Sequence, residues 1–102
     1  MKLKSINPYT NAVISEIDEF SGEEVKNRIE KSKEAFDSWK SATFEYRKTI
    51  MLKAAEILSE SSELLSQTIC EEMGKTKTEA RAEIEKCAWV CKHYANDAEV
   101  LL

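Results

Sequence analysis

From Ser21 onward the apolar residues recur at steps of three and four, and this sustained helical period constrains the fold more than any other property of the chain. Ser21-Gly22-Glu23-Glu24 is a capping box: the Ser21 hydroxyl can accept from the backbone N–H of Glu24, while the Glu24 carboxylate reaches back to the N–H of Ser21. Val25, Ile29, Ser32, Phe36 and Trp39 then share one face, which predicts a helix from about Gly22 to Lys40. Thr43 can cap a second helix, with a stripe of Ile50, Ala54, Ile57 and Leu58 and with Met51 and Ala55 beside it. The cluster Ser59 to Ser62 ends that helix and restarts a third, because serine hydroxyls bond neighbouring backbone. Leu64, Leu65, Thr68, Ile69 and Met73 form the expected buried stripe of the third helix, and Gly74 stands where a left-handed cap is needed. Thr76-Lys77-Thr78-Glu79 repeats the capping-box spacing and opens the last helix. Its stripe runs through Ala80, Ile84, Cys87, Cys91, Tyr94 or Ala95, Ala98 and Leu102.

Before Ser21 the chain reads as extended. Lys2 to Ile6 and Ala12 to Ile17 flank Asn7-Pro8-Tyr9-Thr10-Asn11, in which proline fixes one turn dihedral and asparagine accepts unusual ones. Val13 and Ile14 are adjacent, so both faces of the second strand are expected to touch something. Two strands alone are marginally stable in water, so the ribbon needs a further surface. The expected fold class is mainly α: a short N-terminal two-strand β ribbon over residues 1–20, then about four helices over residues 21–102. No repeat, low-complexity tract or linker divides residues 1–102, which form a single unit.

A chain of 102 residues makes one domain at most and buries roughly 60 to 70% of the surface its unfolded form exposes. Its 42% hydrophobic and 33% charged residues argue against intrinsic disorder. The net charge of −4, with Lys and Arg interleaved among Glu, has the wrong sign for a nucleic-acid footprint. No apolar run approaches the roughly 18 to 20 residues of a membrane span, and no signal-peptide core follows Met1-Lys2-Leu3-Lys4-Ser5. A cytoplasmic location is expected, with neither nucleic acid nor membrane as partner. Three cysteines, Cys70, Cys87 and Cys91, are an odd number without a secretory signal, which favours reduced thiols over a disulfide framework.

The residues that could carry chemistry read more simply as structure. A dinucleotide fingerprint needs three clustered glycines, and this chain has two in all, Gly22 and Gly74, far apart. Cys70, Cys87 and Cys91 occupy helix stripes, where free cysteine behaves as a small hydrophobe. Cys87 and Cys91 lie one helical turn apart, but His93 is two residues from Cys91 and points away, so tetrahedral metal ligation is not expected. His93 shows no evident carboxylate partner and reads as a surface or half-buried residue. Glu71 and Glu72, adjacent on a helix, do not face each other as an acid–base pair would. Phe36 and Trp39 read as core anchors, and the charged run from Glu23 to Lys33 as a wet helix face.

Short motifs in fixed order add a different kind of information. Asn7-Pro8-Tyr9-Thr10, Ala35-Phe36, Trp39, Tyr46-Arg47, and Gly74-Lys75 with Glu79-Ala80 and Glu83 resemble the opening segment of an aldehyde dehydrogenase, over nearly the whole chain from Ser5 to Leu102. Within that family the wording from Met73 to Ala95, with Lys75, Ala82 and Tyr94-Ala95, is most similar to the short succinate-semialdehyde dehydrogenases. The resemblance implies a parent enzyme that oxidises an aldehyde to a carboxylic acid through a thiohemiacetal on cysteine, passing hydride to NAD or NADP. It also implies that the nucleophilic cysteine, general-base glutamate, oxyanion asparagine and cofactor-binding lysine lie beyond residue 102. The chain is therefore expected to be an N-terminal fragment of the α/β cofactor-binding domain, inactive alone, with no catalytic or cofactor-binding residue of its own. Its partners would be the remainder of the parent enzyme and further copies in a homo-oligomer. In some members a monovalent cation is held by a backbone carbonyl and an acidic side chain at the positions of Ile6 and Glu72, a site that would be incomplete here. The alternatives are a free-standing helical interaction or oligomerisation module, and a thiol-based redox or metal-binding protein.

Overall fold

The computed structural model describes residues 1–102. The order is β1 (Lys2–Ile6), β2 (Val13–Asp18), α1 (Gly22–Trp39), α2 (Phe44–Glu60), α3 (Ser62–Met73) and α4 (Lys77–Leu101), a two-strand ribbon followed by four helices as expected.

The strands pair antiparallel, Lys2 opposite Asp18 and Lys4 opposite Glu16, with an irregularity between Ser5 and Ile6 that sets Ile6 against Val13. The facing charges are opposite in sign, and Lys4 Nζ lies 3.1 Å from Glu16 Oε1. The turn folds on Asn7, whose Oδ1 accepts from the N–H groups of Tyr9 (2.9 Å) and Thr10 (3.1 Å). Asn11 takes the left-handed backbone, φ +60°, a conformation that asparagine tolerates.

Both expected capping boxes form in full, Ser21 with Glu24 on α1 and Thr76 with Glu79 on α4. The Thr43 Oγ1 accepts from the Tyr46 N–H at 3.1 Å and starts α2. The α2–α3 joint differs from expectation, since the Ser61 hydroxyl makes no capping bond. The backbone of Ser61 is shared instead: its N–H donates to the Ile57 carbonyl (2.9 Å) and its carbonyl accepts from Leu65 (3.0 Å). The chain passes from α2 into α3 there without a side-chain cap.

Helices α2, α3 and α4 pack on one another, α4 against both others. Their core is Ala55, Ala80, Ile84, Ala88 and Ala95, with Ser66 fully buried among them and its Oγ donating to the Glu63 carbonyl at 3.0 Å. The expected stripes require correction here. On α4 the buried row steps by four through Ala80, Ile84 and Ala88, so Cys87 is exposed and Cys91 only half-buried. On α3, Leu64 and Met73 face solvent and Ser66 takes the inner position. Small residues win these places because close helix approach leaves room for little more than a methyl group.

No residue of α1 is buried, and its C-terminal Trp39 meets Tyr46 and Arg47 of α2. The accessible surface of 8190 Å² is well above the ~5,900 Å² of a compact monomer of this 11.7 kDa mass. The radius of gyration, 17.6 Å, likewise exceeds the ~13 Å of a compact chain of this length.

Candidate functional site

Two clusters gather the motif residues. The first lies where the ribbon turn meets the α3–α4 joint. Helix α3 ends at Gly74, φ +69°, whose N–H donates to the Cys70 carbonyl at 3.0 Å. A Cβ at residue 74 would lie 3.1 Å from Pro8 Cγ, so glycine is required both by the left-handed backbone and by the proline ring against it. Ser5 Oγ donates to Glu72 Oε1 at 2.7 Å and ties β1 to the last turn of α3. A shallow hollow of about 330 Å³, lined by Asn7, Tyr9, Cys70, Glu71, Gly74 and Lys75, opens at this junction. Asn7-Pro8 and Gly74-Lys75, 66 residues apart in sequence, thus share one site.

The flanking charges fix the joint from the α4 side. Lys75 Nζ lies 2.7 Å from Glu83 Oε2, and that hydrogen bond holds the ammonium pKa above its ordinary value. Glu63 receives Lys77 at 2.7 Å and Arg81, and these two donors, Lys77 foremost, pull its carboxyl down to about 2. Two of the family-motif residues, Lys75 and Glu83, are therefore a strap between the cap and α4.

Of the two expected cation ligands, Ile6 ends β1 and Glu72 is exposed on α3. The bond from Ser5, next in sequence to Ile6, draws the Glu72 carboxylate to the end of the strand. Glu72 Oε2 enters no hydrogen bond or ion pair and remains a free oxygen donor, so the donor chemistry suits a hard cation.

The second cluster explains Trp39 with Tyr46-Arg47. The Arg47 Nε donates to the Ala42 carbonyl (3.2 Å), and its Nη2 to those of Ala42 (2.9 Å) and Lys40 (3.2 Å). Its guanidinium sits 6.0 Å from the Trp39 ring centroid and 5.4 Å from that of Phe44. Arg47 thereby satisfies carbonyls just past the end of α1, where neither glycine nor a basic last-turn residue is present. Trp39 is a rim residue, 40% exposed, rather than the expected core anchor. With Phe44, Met51, Tyr94 and Ala98 it lines an apolar hollow of about 220 Å³.

The structure gives His93 the carboxylate that the sequence reading did not find: Nδ1 lies 3.0 Å from Asp97 Oδ2. The signal was present, since residues four apart on a helix are neighbours. The His93 ring also stacks on Trp89, centroids 5.2 Å apart and planes 4° apart. Cys87 and Cys91 do not join it in a three-ligand cluster. No helix is long and apolar enough to cross a membrane.

Comparison with known proteins places these motifs. The profile of the aldehyde dehydrogenase family matches residues 1–102. An aldehyde dehydrogenase of Paenarthrobacter nicotinovorans is 37% identical over 99 residues, 97% of this chain and 22% of that protein. A probable NADP-dependent succinate-semialdehyde dehydrogenase of Synechocystis is 34% identical over all of this chain and 22% of its own length. Among solved structures, the succinic semialdehyde dehydrogenase of Streptococcus pyogenes in complex with NADP+ superposes with a TM-score of 0.90 at 28% identity, over 97% of this chain and 22% of that one. The chain thus spans about 22% of the length of these relatives.

Proposed function

The chain belongs to the aldehyde dehydrogenase family, and from that membership we propose that it is the N-terminal part of the cofactor-binding domain of an NAD(P)-dependent succinate-semialdehyde dehydrogenase. The observation that supports this reading is the family match over residues 1–102, together with a shared site for Asn7-Pro8 and Gly74-Lys75 that a chance resemblance of scattered motifs would not produce. The overall reaction takes an aldehyde, water and NAD(P)+ to a carboxylic acid, NAD(P)H and a proton. The residues of this chain serve it as a scaffold: the Gly74 cap, the Lys75–Glu83 strap and the Arg47 clamp fix the relative positions of ribbon and helices.

The same proposal covers the expected cation position. The Ile6 carbonyl and Glu72 Oε2 contribute two oxygen ligands, with further ligands supplied from outside residues 1–102. Without a glycine-rich phosphate cradle, the 102-residue chain neither binds a nicotinamide dinucleotide nor turns over aldehyde. The test is a spectrophotometric assay of the pure chain with succinate semialdehyde and NAD+ or NADP+, alongside calorimetry with each nucleotide. No absorbance rise at 340 nm and no heat of binding are expected. Aldehyde-dependent reduction, or saturable micromolar nucleotide binding, defeats the proposal for the isolated chain.

A further inference from the structure

Ser5 and Glu72 meet in an unsymmetrical way. Glu72 stands in the last turn of α3, and Ser5 Oγ takes only one of its carboxylate oxygens, donating to Oε1 at 2.7 Å. The ammonium nearest in sequence, Lys75, follows the left-handed Gly74 cap and is held by Glu83 at 2.7 Å. No ion pair reaches Glu72, so Oε2 keeps its lone pairs. On the strand side, the Asn7 N–H donates across the ribbon to the Ala12 carbonyl at 2.9 Å. The peptide joining Ile6 to Asn7 is trans, so the Ile6 carbonyl points the opposite way, off the open edge of β1. One hydroxyl thus brings a half-free carboxylate to the strand end that carries an outward carbonyl.

We infer that Ser5 is a positioning residue for the cation site: by holding Oε1 it orients the Glu72 carboxylate so that Oε2 and the Ile6 carbonyl ligate one ion together. This rests on the cation position already proposed and adds to it the residue that sets its affinity. An exposed glutamate at a helix end samples several rotamers, and ordering it at the moment of binding costs affinity. The Ser5 hydroxyl does that ordering in advance, as hydrogen-bond partners of metal ligands do. It also bears on the charge of the ion. With Oε1 engaged, Glu72 is a one-oxygen ligand, and together with a neutral carbonyl it supplies a single negative charge. A monovalent hard cation neutralises that charge, whereas tight calcium sites gather several carboxylates.

The experiment follows the sodium NMR linewidth as sodium chloride is added to the intact chain, with choline chloride holding the ionic strength constant and water free to fill the remaining ligand positions. Wild type should broaden the line saturably, and potassium should compete. Ser5→Ala should weaken sodium binding roughly three- to tenfold, Ser5→Thr should restore it, and Glu72→Gln should abolish it, with the fold of each variant checked by circular dichroism. Melting temperatures in sodium and in choline separate positioning from tethering. A Ser5 that only ties β1 to α3 makes Ser5→Ala lower both by the same amount, which overturns the inference; a positioning Ser5 makes the sodium-dependent increment itself shrink. Saturable broadening that is equal in wild type and Ser5→Ala overturns the inference while the cation position stands. Broadening that is absent in wild type, or that survives Glu72→Gln, overturns the cation position and the inference with it.

Discussion

Gly74 carries the most exacting demand placed on any single residue, because its left-handed backbone and the 3.1 Å approach of Pro8 would each oppose a side chain. Replacing it by alanine should cost about 1–2 kcal/mol from the backbone alone, and valine more, since the added methyls meet the proline ring. Thermal melts of both variants check this; melts indistinguishable from wild type would mean that the ribbon turn does not rest on the cap. Glu63 makes a second residue-scale prediction through pH. Its folded carboxyl titrates near 2, below the ordinary value of 4.5, so the strap to Lys77 and Arg81 contributes fully above pH 4.5. The contribution should fade as the pH drops toward 2 and the carboxylate is protonated in both states. The gap in melting temperature between wild type and Glu63→Gln should therefore be constant from neutral pH down to about 5 and close by pH 2. A gap that persists in acid would assign the stabilisation to packing rather than charge.

At the scale of elements, α1 depends on Arg47. Its forked donors reach the carbonyls of Lys40 and Ala42, and its plane lies among Trp39 and Phe44. Lysine keeps the charge but loses the fork, so Arg47→Lys should leave α4 protected while amide exchange in the last turn of α1 and in residues 40–43 accelerates several-fold. Unchanged exchange there would show that α1 is oriented by something else. The elements themselves were legible in the sequence, because Ser21–Glu24, Thr43, Thr76–Glu79 and Gly74 announce helix ends by local chemistry. Which face each helix buries was legible only in part, for Ala80, Ile84 and Ala95 lie inside as read whereas Cys87, Leu64 and Met73 do not. Periodicity sees where large apolar residues gather, whereas this bundle closes mainly on Ala55, Ala80, Ala88, Ala95 and Ser66, with Ile84 the one large apolar side chain among them. The site was legible in part for the same reason. The Asn7-Pro8 and Gly74-Lys75 motifs could be read singly, but their meeting depends on tertiary placement, as does the bond from Ser5 to Glu72. The His93–Asp97 pair was within reach of the four-residue rule and was missed.

The whole molecule is a slab, 46 × 40 × 20 Å, with a core of alanines and one isoleucine, its ribbon joined to the bundle at the Gly74 cap and most of α1 exposed. That shape has a calorimetric consequence. The heat capacity of unfolding grows with the apolar surface newly exposed to water, and an ordinary chain of about 100 residues gains roughly 1.2–1.5 kcal/mol/K. Here much of the chain is hydrated already in the folded state, whose total accessible area is 8190 Å². The isolated chain should therefore unfold with a heat-capacity step well below that range and with a correspondingly shallow denaturant slope. Scanning calorimetry and urea titration measure both. A full-sized step would mean that in solution the ribbon and α1 are covered after all, and a shallow one would leave the protein with a stability curve unusually flat in temperature.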